Sequence, residues 1–271
     1  MQNPSGSDLP TPSGSGFAEI DGARIEFQRY ASDSGLPALV FLHEGLGSVA
    51  MWRDFPARVA MATGAPVIVY SRRGYGGSSP RPASYQVDYM HLEARETLPK
   101  LLEHWRVRRP VLVGHSDGAS IALIHASEHS LSGVVALAPH VFVEDICIEA
   151  IEEAREAFAA TNLASRLGRY HSDAEHAFRG WNDIWLQPAF RDWNIEALLP
   201  AVSAPVLAIQ GLDDPYGTMD QLDRIERGVG GPFQRLELKA CGHSPHRDKP
   251  SETLAAVTEF FDRIAKGDAR T

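Results

Sequence analysis

Short apolar runs alternate along the chain with longer segments of helical periodicity. Two runs near the start, residues 17–20 and 24–30, alternate between apolar and polar positions around Asp21-Gly22, a pair typical of a hairpin turn. Later runs are continuously apolar, as expected for strands that a parallel sheet buries on both faces. The predicted strands after the hairpin are residues 38–43, 67–70, 111–113, 134–138, 205–209 and, with more polar residues, 233–238.

The segments between these strands carry apolar residues at spacings of three and four. In residues 85–106, for example, Leu98, Leu101, Leu102 and Trp105 fall on one helical stripe. Further helices are predicted at residues 49–63, 117–129, 219–227 and 250–264. Two antiparallel strands followed by repeated strand–helix units indicate the α/β class, with a mostly parallel, twisted sheet and helices on both faces.

The strand–helix alternation breaks between residues 139 and 200. No strand is predicted in this segment, which instead has helical patches at residues 146–160 and 173–185. An insertion of this length is more typical of a helical cap than of a loop. The predicted organisation is a disordered Pro-, Ser- and Gly-rich leader at residues 1–16, one domain at 17–265 with its cap at about 139–200, and a tail at 266–271.

Charge and composition narrow the range of partners. The net charge of −9 at pH 7 argues against nucleic acid and anionic membranes, because both require a basic surface. Cys147 and Cys241 have neither metal-site nor CxxC spacing, so we expect two buried thiols in a reducing compartment. The leader lacks the basic start and apolar stretch of a secretion signal, and no segment approaches the ~20 apolar residues of a membrane helix. We therefore expect a cytoplasmic protein.

Nucleotide and metal motifs are not recognised in the sequence. The glycine-rich residues 72–78 lack both the lysine of a P-loop and the spacing of a dinucleotide-binding turn. We therefore expect no cofactor and no metal, and a small-molecule substrate as the partner. Whether the chain forms a homodimer stays open.

The candidate chemistry begins at Ser116, between two glycines in Gly114-His115-Ser116-Asp117-Gly118. An apolar strand precedes these residues and a run of small residues follows them, which predicts a sharp strand–turn–helix. Such a turn strains the backbone at Ser116 and exposes its hydroxyl, while side chains at the glycine positions would collide with the neighbouring strand and helix. The amide of Asp117 would then face the group that Ser116 attacks.

A serine hydroxyl needs a base, and the base needs an acid that fixes its tautomer. His243 follows the last predicted strand, at the sheet edge that also carries Ser116, whereas His246 lies further along the same loop. The adjacent Asp213 and Asp214 follow another strand at this edge, and either residue equally suits a turn cap. Position alone favours His243 and leaves both aspartates open.

A second backbone donor for an oxyanion is expected from the loop after residues 38–43. Gly45 and Gly47 allow a close approach of the backbone there, and we assign the donor to the amide of Leu46. Glu44 is unexpected in this loop, because a carboxylate near a developing oxyanion opposes it. Its side chain either points away from the site or binds a group of the substrate.

Five segments together resemble the α/β-hydrolase superfamily, in its group of single-domain hydrolases with an inserted helical cap. They are the oxyanion loop at residues 43–48, the loop at 71–78, the elbow at 114–118, the acid loop at 211–215 and the base loop at 242–246. The resemblance implies a triad in the order Ser116, Asp214, His243, since the family's acid usually lies three residues after the glycine. Two departures are Asp117, where apolar or amide residues are common, and Glu44-Gly45 in place of histidine-glycine.

The family resemblance and Ser116 together restrict the reaction. Haloalkane dehalogenases and epoxide hydrolases of the superfamily carry an aspartate nucleophile, so both are disfavoured. The main hypothesis is a serine hydrolase that cleaves a small carboxylic ester or thioester through an acyl-enzyme. The alternatives are C–C hydrolysis of an aromatic ring-cleavage product and a non-catalytic small-molecule receptor. Candidate substrate-binding residues are Glu44, His140, Phe142, Trp181 and Trp185, although the aromatic ones equally suit a core within the cap.

Overall fold

A central eight-stranded sheet organises the protein in the computed structural model, which describes residues 9–267. The strand order is β1-β2-β4-β3-β5-β6-β7-β8; β1 and β2 are antiparallel to their neighbours, and β3 to β8 are mutually parallel. The predicted α/β class with a mostly parallel sheet is confirmed. The strands are Gly14–Ile20 (β1), Ala23–Tyr30 (β2), Leu39–Leu42 (β3), Val67–Tyr70 (β4), Val111–His115 (β5), Gly133–Leu137 (β6), Val206–Gly211 (β7) and Phe233–Leu238 (β8).

The opening hairpin turns at Asp21 and Gly22, whose φ angles of 49° and 72° suit a tight two-residue turn. Its first strand begins at Gly14, three residues before the predicted start. Residues 14–16 pair with residues 27–29 of β2, so this part of the predicted leader is a strand. Residues 1–8 of the predicted leader and residues 268–271 of the predicted tail lie outside the described residues.

Helices follow most of the parallel strands. Two predicted helices differ from the observed ones. Residues 49–63 divide into a 3₁₀ turn at Val49–Trp52 and a helix from Phe55, because Arg53 adopts a left-handed φ of 55° between them. The helix predicted at 85–106 begins at Tyr89 and contains a π-helical turn at Glu93–Thr97. The helices are Phe55–Thr63 (α1), Tyr89–Leu92 (α2), Leu98–His104 (α3), Asp117–Glu128 (α4), Asp145–Ala160 (α5), Leu163–Leu167 (α6), Ala174–Trp185 (α7), Asp220–Gly228 (α8), Pro245–Asp248 (α9) and Pro250–Ala265 (α10).

The apolar strands separate two cores, as their continuous hydrophobicity predicts. In β3, Val40 and Leu42 pack into the core beneath α2 to α4, while Leu39 and Phe41 pack into the core beneath α1 and α10. All four side chains are fully buried. Because successive strand residues face opposite sides, a strand covered on both faces must be apolar at every position.

The segment between β6 and β7 is the predicted helical insertion, and it contains α5, α6 and α7. Its aromatic residues stack on one another: the rings of Phe158 and Phe178 are 3.9 Å apart, and those of Phe190 and Trp193 are 5.6 Å apart. These rings continue the core beneath α2 to α4, because Phe190 and Trp193 belong to the same buried cluster as Val40 of β3. The insertion also reaches the sheet edge at which the candidate residues gather.

Candidate active site

Ser116 occupies a strained turn between β5 and α4. Its φ of 52° and ψ of −119° are costly for a residue with a side chain. A Cβ at Gly118 would lie 2.0 Å from the Leu42 carbonyl oxygen, and one at Gly114 would lie 2.2 Å from the Gly118 carbonyl oxygen. Only glycine fits either position, so the close approach of strand, turn and helix depends on both.

Ser116 lines a cavity of about 100 Å³ at the carboxyl ends of the parallel strands. Seven of the predicted residues line this cavity together, although they come from five separate parts of the chain. They are Glu44, Leu46, Ser116, His140, Trp181, Trp185 and His243.

His243 faces a buried carboxylate. Its Nδ1 lies 2.9 Å from both carboxylate oxygens of Asp214. The Tyr216 amide donates to Asp214 Oδ1 at 2.9 Å, and Gln210 Nε2 lies 3.3 Å from Oδ2. Burial opposes the charge of Asp214, but the His243 ring and the Tyr216 amide outweigh it, and the pKa of this carboxyl is lowered. A carboxylate only accepts, so Nδ1 carries the proton and Nε2 is left as the acceptor.

Geometry separates the alternatives that the sequence left open. Asp213 is exposed, whereas Asp214 is buried against His243. His246 is buried on the other side of the loop, with its ring 4.7 Å from that of Trp52. The contact between histidine and acid is made by His243 and Asp214.

The loop of the expected oxyanion donor is held by the insertion. His171 accepts from the Gly76 amide at Nδ1, so its Nε2 carries a proton, which it donates to the Leu46 carbonyl at 3.0 Å. A Cβ on Gly45 would lie 2.1 Å from Trp181 Cδ1, so glycine allows the indole to cover this loop. Within residues 9–267, the amides of Leu46 and Asp117 donate no hydrogen bond to the protein, which leaves both free to act as donors to a ligand.

The carboxylate of Asp117 is directed into a polar cluster behind the cavity wall. Its Oδ2 accepts from the Tyr89 hydroxyl at 2.6 Å and lies 3.6 Å from Arg72 Nη2, with both charged side chains buried. Trp185 Nε1 donates to the same hydroxyl at 3.1 Å. Burial raises the pKa of Asp117 more than Arg72 lowers it. This explains the departure at position 117: the side chain serves the packing of Arg72 and Tyr89, and the amide remains available.

Glu44 lines the cavity and faces His115. Its Oε2 lies 3.4 Å from His115 Nδ1, and its side chain is 16% exposed. Burial raises the pKa of Glu44, but the adjacent His115 and the nearby His43 and His246 outweigh this effect, so the pKa of Glu44 is lowered.

His140 is buried at the cavity, where burial lowers its pKa to about 3 and keeps the ring neutral near pH 7. Its ring centroid is 5.8 Å from that of His243. Phe142, by contrast, does not line the cavity, and its predicted role is corrected: it forms a β-bridge with Asn194, and Arg224 Cζ lies 3.6 Å from its ring centroid.

Three residues that line the cavity are not among the candidates from the sequence: Cys147, Ile151 and Tyr216. The first two lie one turn apart on α5, a spacing that also suits an ordinary helix core, so no signal distinguishes them. For Tyr216 the sequence does hold a signal, because the residue lies two positions after Asp214 in the acid loop. In the structure its ring centroid is 4.7 Å from that of His243.

Among residues 9–267, no group of three or more His, Cys, Asp or Glu side chains is arranged to hold a metal ion. None of the helices described is both long enough and apolar enough to cross a membrane.

Comparison of the sequence with known protein families agrees with the fold, the elbow and the cavity. A model described as the Alpha/beta hydrolase family matches residues 39–257, and the chain belongs to that family. The resemblance inferred from the five segments is thereby confirmed.

Its relatives include several kinds of hydrolase. The chain is 24% identical to a proline iminopeptidase of Lactobacillus helveticus, over 84% of this chain and 90% of the relative. It is 25% identical to the sn-1-specific diacylglycerol lipase ABHD11 of Mus musculus, over 92% and 89% respectively. Among solved structures, the esterase EaEST from Exiguobacterium antarcticum superposes with a TM-score of 0.70 at 16% identity, covering 92% of this chain and 99% of the esterase. The protein is therefore related to hydrolases, and the esterase likeness concerns the fold.

Proposed function

We propose that the protein is a serine hydrolase that cleaves a small carboxylic ester or thioester through an acyl-enzyme. The observation that carries this proposal is the buried contact of His243 Nδ1 with both Asp214 oxygens, on the same cavity as the strained Ser116. A histidine fixed in this tautomer presents Nε2 as a base, which is the requirement for activating a serine hydroxyl.

In the proposed reaction, Ser116 Oγ attacks the carbonyl carbon as His243 Nε2 takes its proton. Asp214 stabilises the imidazolium and keeps its orientation. The amides of Leu46 and Asp117 donate to the oxyanion, and the fixed peptide of Leu46 limits the reorganisation that this requires. His243 then protonates the leaving alkoxide or thiolate. Water, activated by the same histidine, releases the acid from Ser116.

The size and lining of the cavity support a small acyl group. A volume of about 100 Å³ is well below the roughly 300–1,000 Å³ of pockets for drug-sized ligands. Ile151, Trp181 and Trp185 supply apolar surface, and burial raises the pKa of the Cys147 thiol, which keeps it neutral. A short, apolar acyl group therefore fits these walls better than a charged one.

Short-chain p-nitrophenyl esters and acyl thioesters test the proposal directly. We expect a burst of p-nitrophenol followed by steady turnover, and a loss of about 10⁴-fold or more in kcat for Ser116→Ala. A fluorophosphonate probe should label the wild type and not the variant. Turnover that survives in Ser116→Ala would refute the role of this serine.

The same assay separates other substrate classes. Inactivity toward esters and thioesters, with cleavage of an aminoacyl amide, would point to the peptidase chemistry of the Lactobacillus relative. Bleaching of a dienoate chromophore alone would point to C–C hydrolysis. Absence of both turnover and probe labelling would favour a receptor.

A further inference from the structure

A second contact between histidine and carboxylate adjoins the first one. His115, the residue before Ser116, lies with its Nδ1 3.4 Å from Glu44 Oε2. On the other side of the ring, His115 Nε2 is 2.6 Å from the backbone carbonyl oxygen of His243. His115 is therefore positioned between the loop of the expected oxyanion donor and the loop of the expected base.

Hydrogen-bond chemistry fixes the protons of this arrangement. A carbonyl oxygen has no proton to give, so His115 Nε2 must be the donor to His243. A neutral imidazole carries only one N–H, and its Nδ1 would then be bare and face the Glu44 carboxylate. His115 Nδ1 has no hydrogen-bond partner among the described residues, and the Glu44 carboxylate oxygen at 3.4 Å is the charged group that faces it. Two bare acceptors at this distance repel each other, whereas a proton on Nδ1 makes the contact attractive.

The surrounding groups do not supply that proton. His43 donates through Nδ1 to the Glu44 carbonyl oxygen and accepts from the Arg72 amide at Nε2, so its single proton is already placed. His246, whose ring centroid is 5.0 Å from that of His115, has its pKa lowered by burial and is neutral near pH 7.

The remaining neighbours, His243 and Arg72, each direct an N–H group to another acceptor. The His243 ring, 5.1 Å from that of His115, has its Nδ1 directed at Asp214. Arg72 donates to the backbone oxygen of Glu44 and not to its carboxylate. None of these neighbours is therefore placed to donate a proton into the contact between Glu44 and His115.

We propose that Glu44 and His115 are positioning residues: they share one proton and thereby hold the His243 backbone, and with it the base, in register with Ser116. This inference rests on the proposed function for its effect on catalysis. It also explains the unusual glutamate of the Leu46 loop, whose carboxylate is directed at His115 and not at the substrate's oxyanion.

A comparison of two substitutions at Glu44, leucine and glutamine, tests the shared proton. Leucine leaves His115 Nδ1 without a partner, so Glu44→Leu should lower kcat by roughly 10- to 100-fold with little change in KM, the loss typical of outer residues that orient a reacting group. Glutamine has an N–H that replaces the shared proton, so Glu44→Gln should keep most of the wild-type kcat at pH 7. A result in which glutamine is as damaging as leucine, or leucine is harmless, would overturn the proposal.

A double variant tests whether the two residues act as one unit. His115→Leu alone and Glu44→Leu/His115→Leu should lose about as much kcat as Glu44→Leu alone, because each breaks the same chain of contacts. Multiplicative losses would contradict the coupling. Glu93, a buried carboxylate that accepts from the Tyr70 hydroxyl at 3.0 Å, provides the matched control: Glu93→Gln should leave kcat unchanged.

Nitrogen NMR of the His115 ring tests the contact between Glu44 and His115 independently of any catalytic activity. In the wild type, Nδ1 should resonate away from the position of a bare ring nitrogen, and Glu44→Leu should move it to that position. An Nδ1 that is bare in both proteins would refute the shared proton. If the wild-type protein hydrolyses no ester but Glu44→Leu still shifts the Nδ1 resonance, the proposed function is refuted while the shared proton of Glu44 and His115 is supported.

Discussion

Replacement of Asp214 by asparagine is expected to disable the base while leaving its position occupied. Both carboxylate oxygens lie 2.9 Å from His243 Nδ1, and the Asp214 side chain is 1% exposed. Asparagine replaces one of these oxygens with an NH₂ group, which donates rather than accepts, and it removes the negative charge that stabilises the imidazolium. Where the NH₂ group faces His243, Nδ1 must be the acceptor, so His243 takes the tautomer whose Nε2 carries the proton.

The wrong tautomer removes the acceptor for the Ser116 proton. A loss of about 10³- to 10⁴-fold in kcat is expected, equivalent to about 4–5.5 kcal/mol of transition-state stabilisation. Asp213→Asn is the matched control, since it makes the same chemical change at the adjacent, exposed residue. We expect its kcat/KM to stay within about twofold of wild type, as for most surface substitutions.

Steady-state hydrolysis of p-nitrophenyl acetate by the two variants and the wild type provides the measurement. Circular dichroism and thermal unfolding would verify that both variants fold. An Asp214→Asn enzyme within tenfold of wild type would refute the role of this contact. Equal losses at positions 213 and 214 would mean that the loop, and not the carboxylate, is responsible.

Three further outcomes follow from packing and charge. Gly45→Ala should destabilise the fold by about 1–3 kcal/mol and reduce activity, because its Cβ would lie 2.1 Å from Trp181; thermal unfolding with a Trp181→Leu rescue checks this. Arg72→Met should cost about 3–5 kcal/mol in urea unfolding, because it leaves the buried Asp117 without its cation, and an unchanged midpoint would contradict the pairing. Burial lowers the pKa of His125 to about 4, so the unfolded chain takes up its proton first and stability falls as the pH drops from 6.5 to 4. His125→Gln should flatten this dependence by about 3 kcal/mol, and an unchanged slope would refute it.

The elements of the sheet and the elbow could be predicted because their physics is local. A strand buried on both faces must be apolar throughout, and the turn of the elbow would place a Cβ at Gly114 only 2.2 Å from the Gly118 carbonyl oxygen four residues away. The contact of His243 with Asp214 was also within reach, since parallel strands bring their carboxyl ends to one edge. In contrast, position along the chain does not separate Asp213 from Asp214: the family resemblance selects Asp214, and the burial of its side chain distinguishes the two in the structure.

The parts that were missed depend on contacts between distant segments. His171 reaches the Leu46 carbonyl from the insertion, and His115 links Glu44 to His243; neither pairing has a spacing signal in the sequence. The residue type of Phe142 suits a cavity wall, but its neighbours Asn194 and Arg224 determine where its ring lies.

Trapping the proposed acyl-enzyme on Ser116 would show whether this serine is the nucleophile. Protein quenched in acid during turnover of p-nitrophenyl acetate would be digested and its peptides analysed by mass spectrometry. We expect an acetyl group on Ser116 in the wild type and none in Ser116→Ala. Rapid hydrolysis without an adduct, or an adduct on another residue that persists in Ser116→Ala, would contradict it.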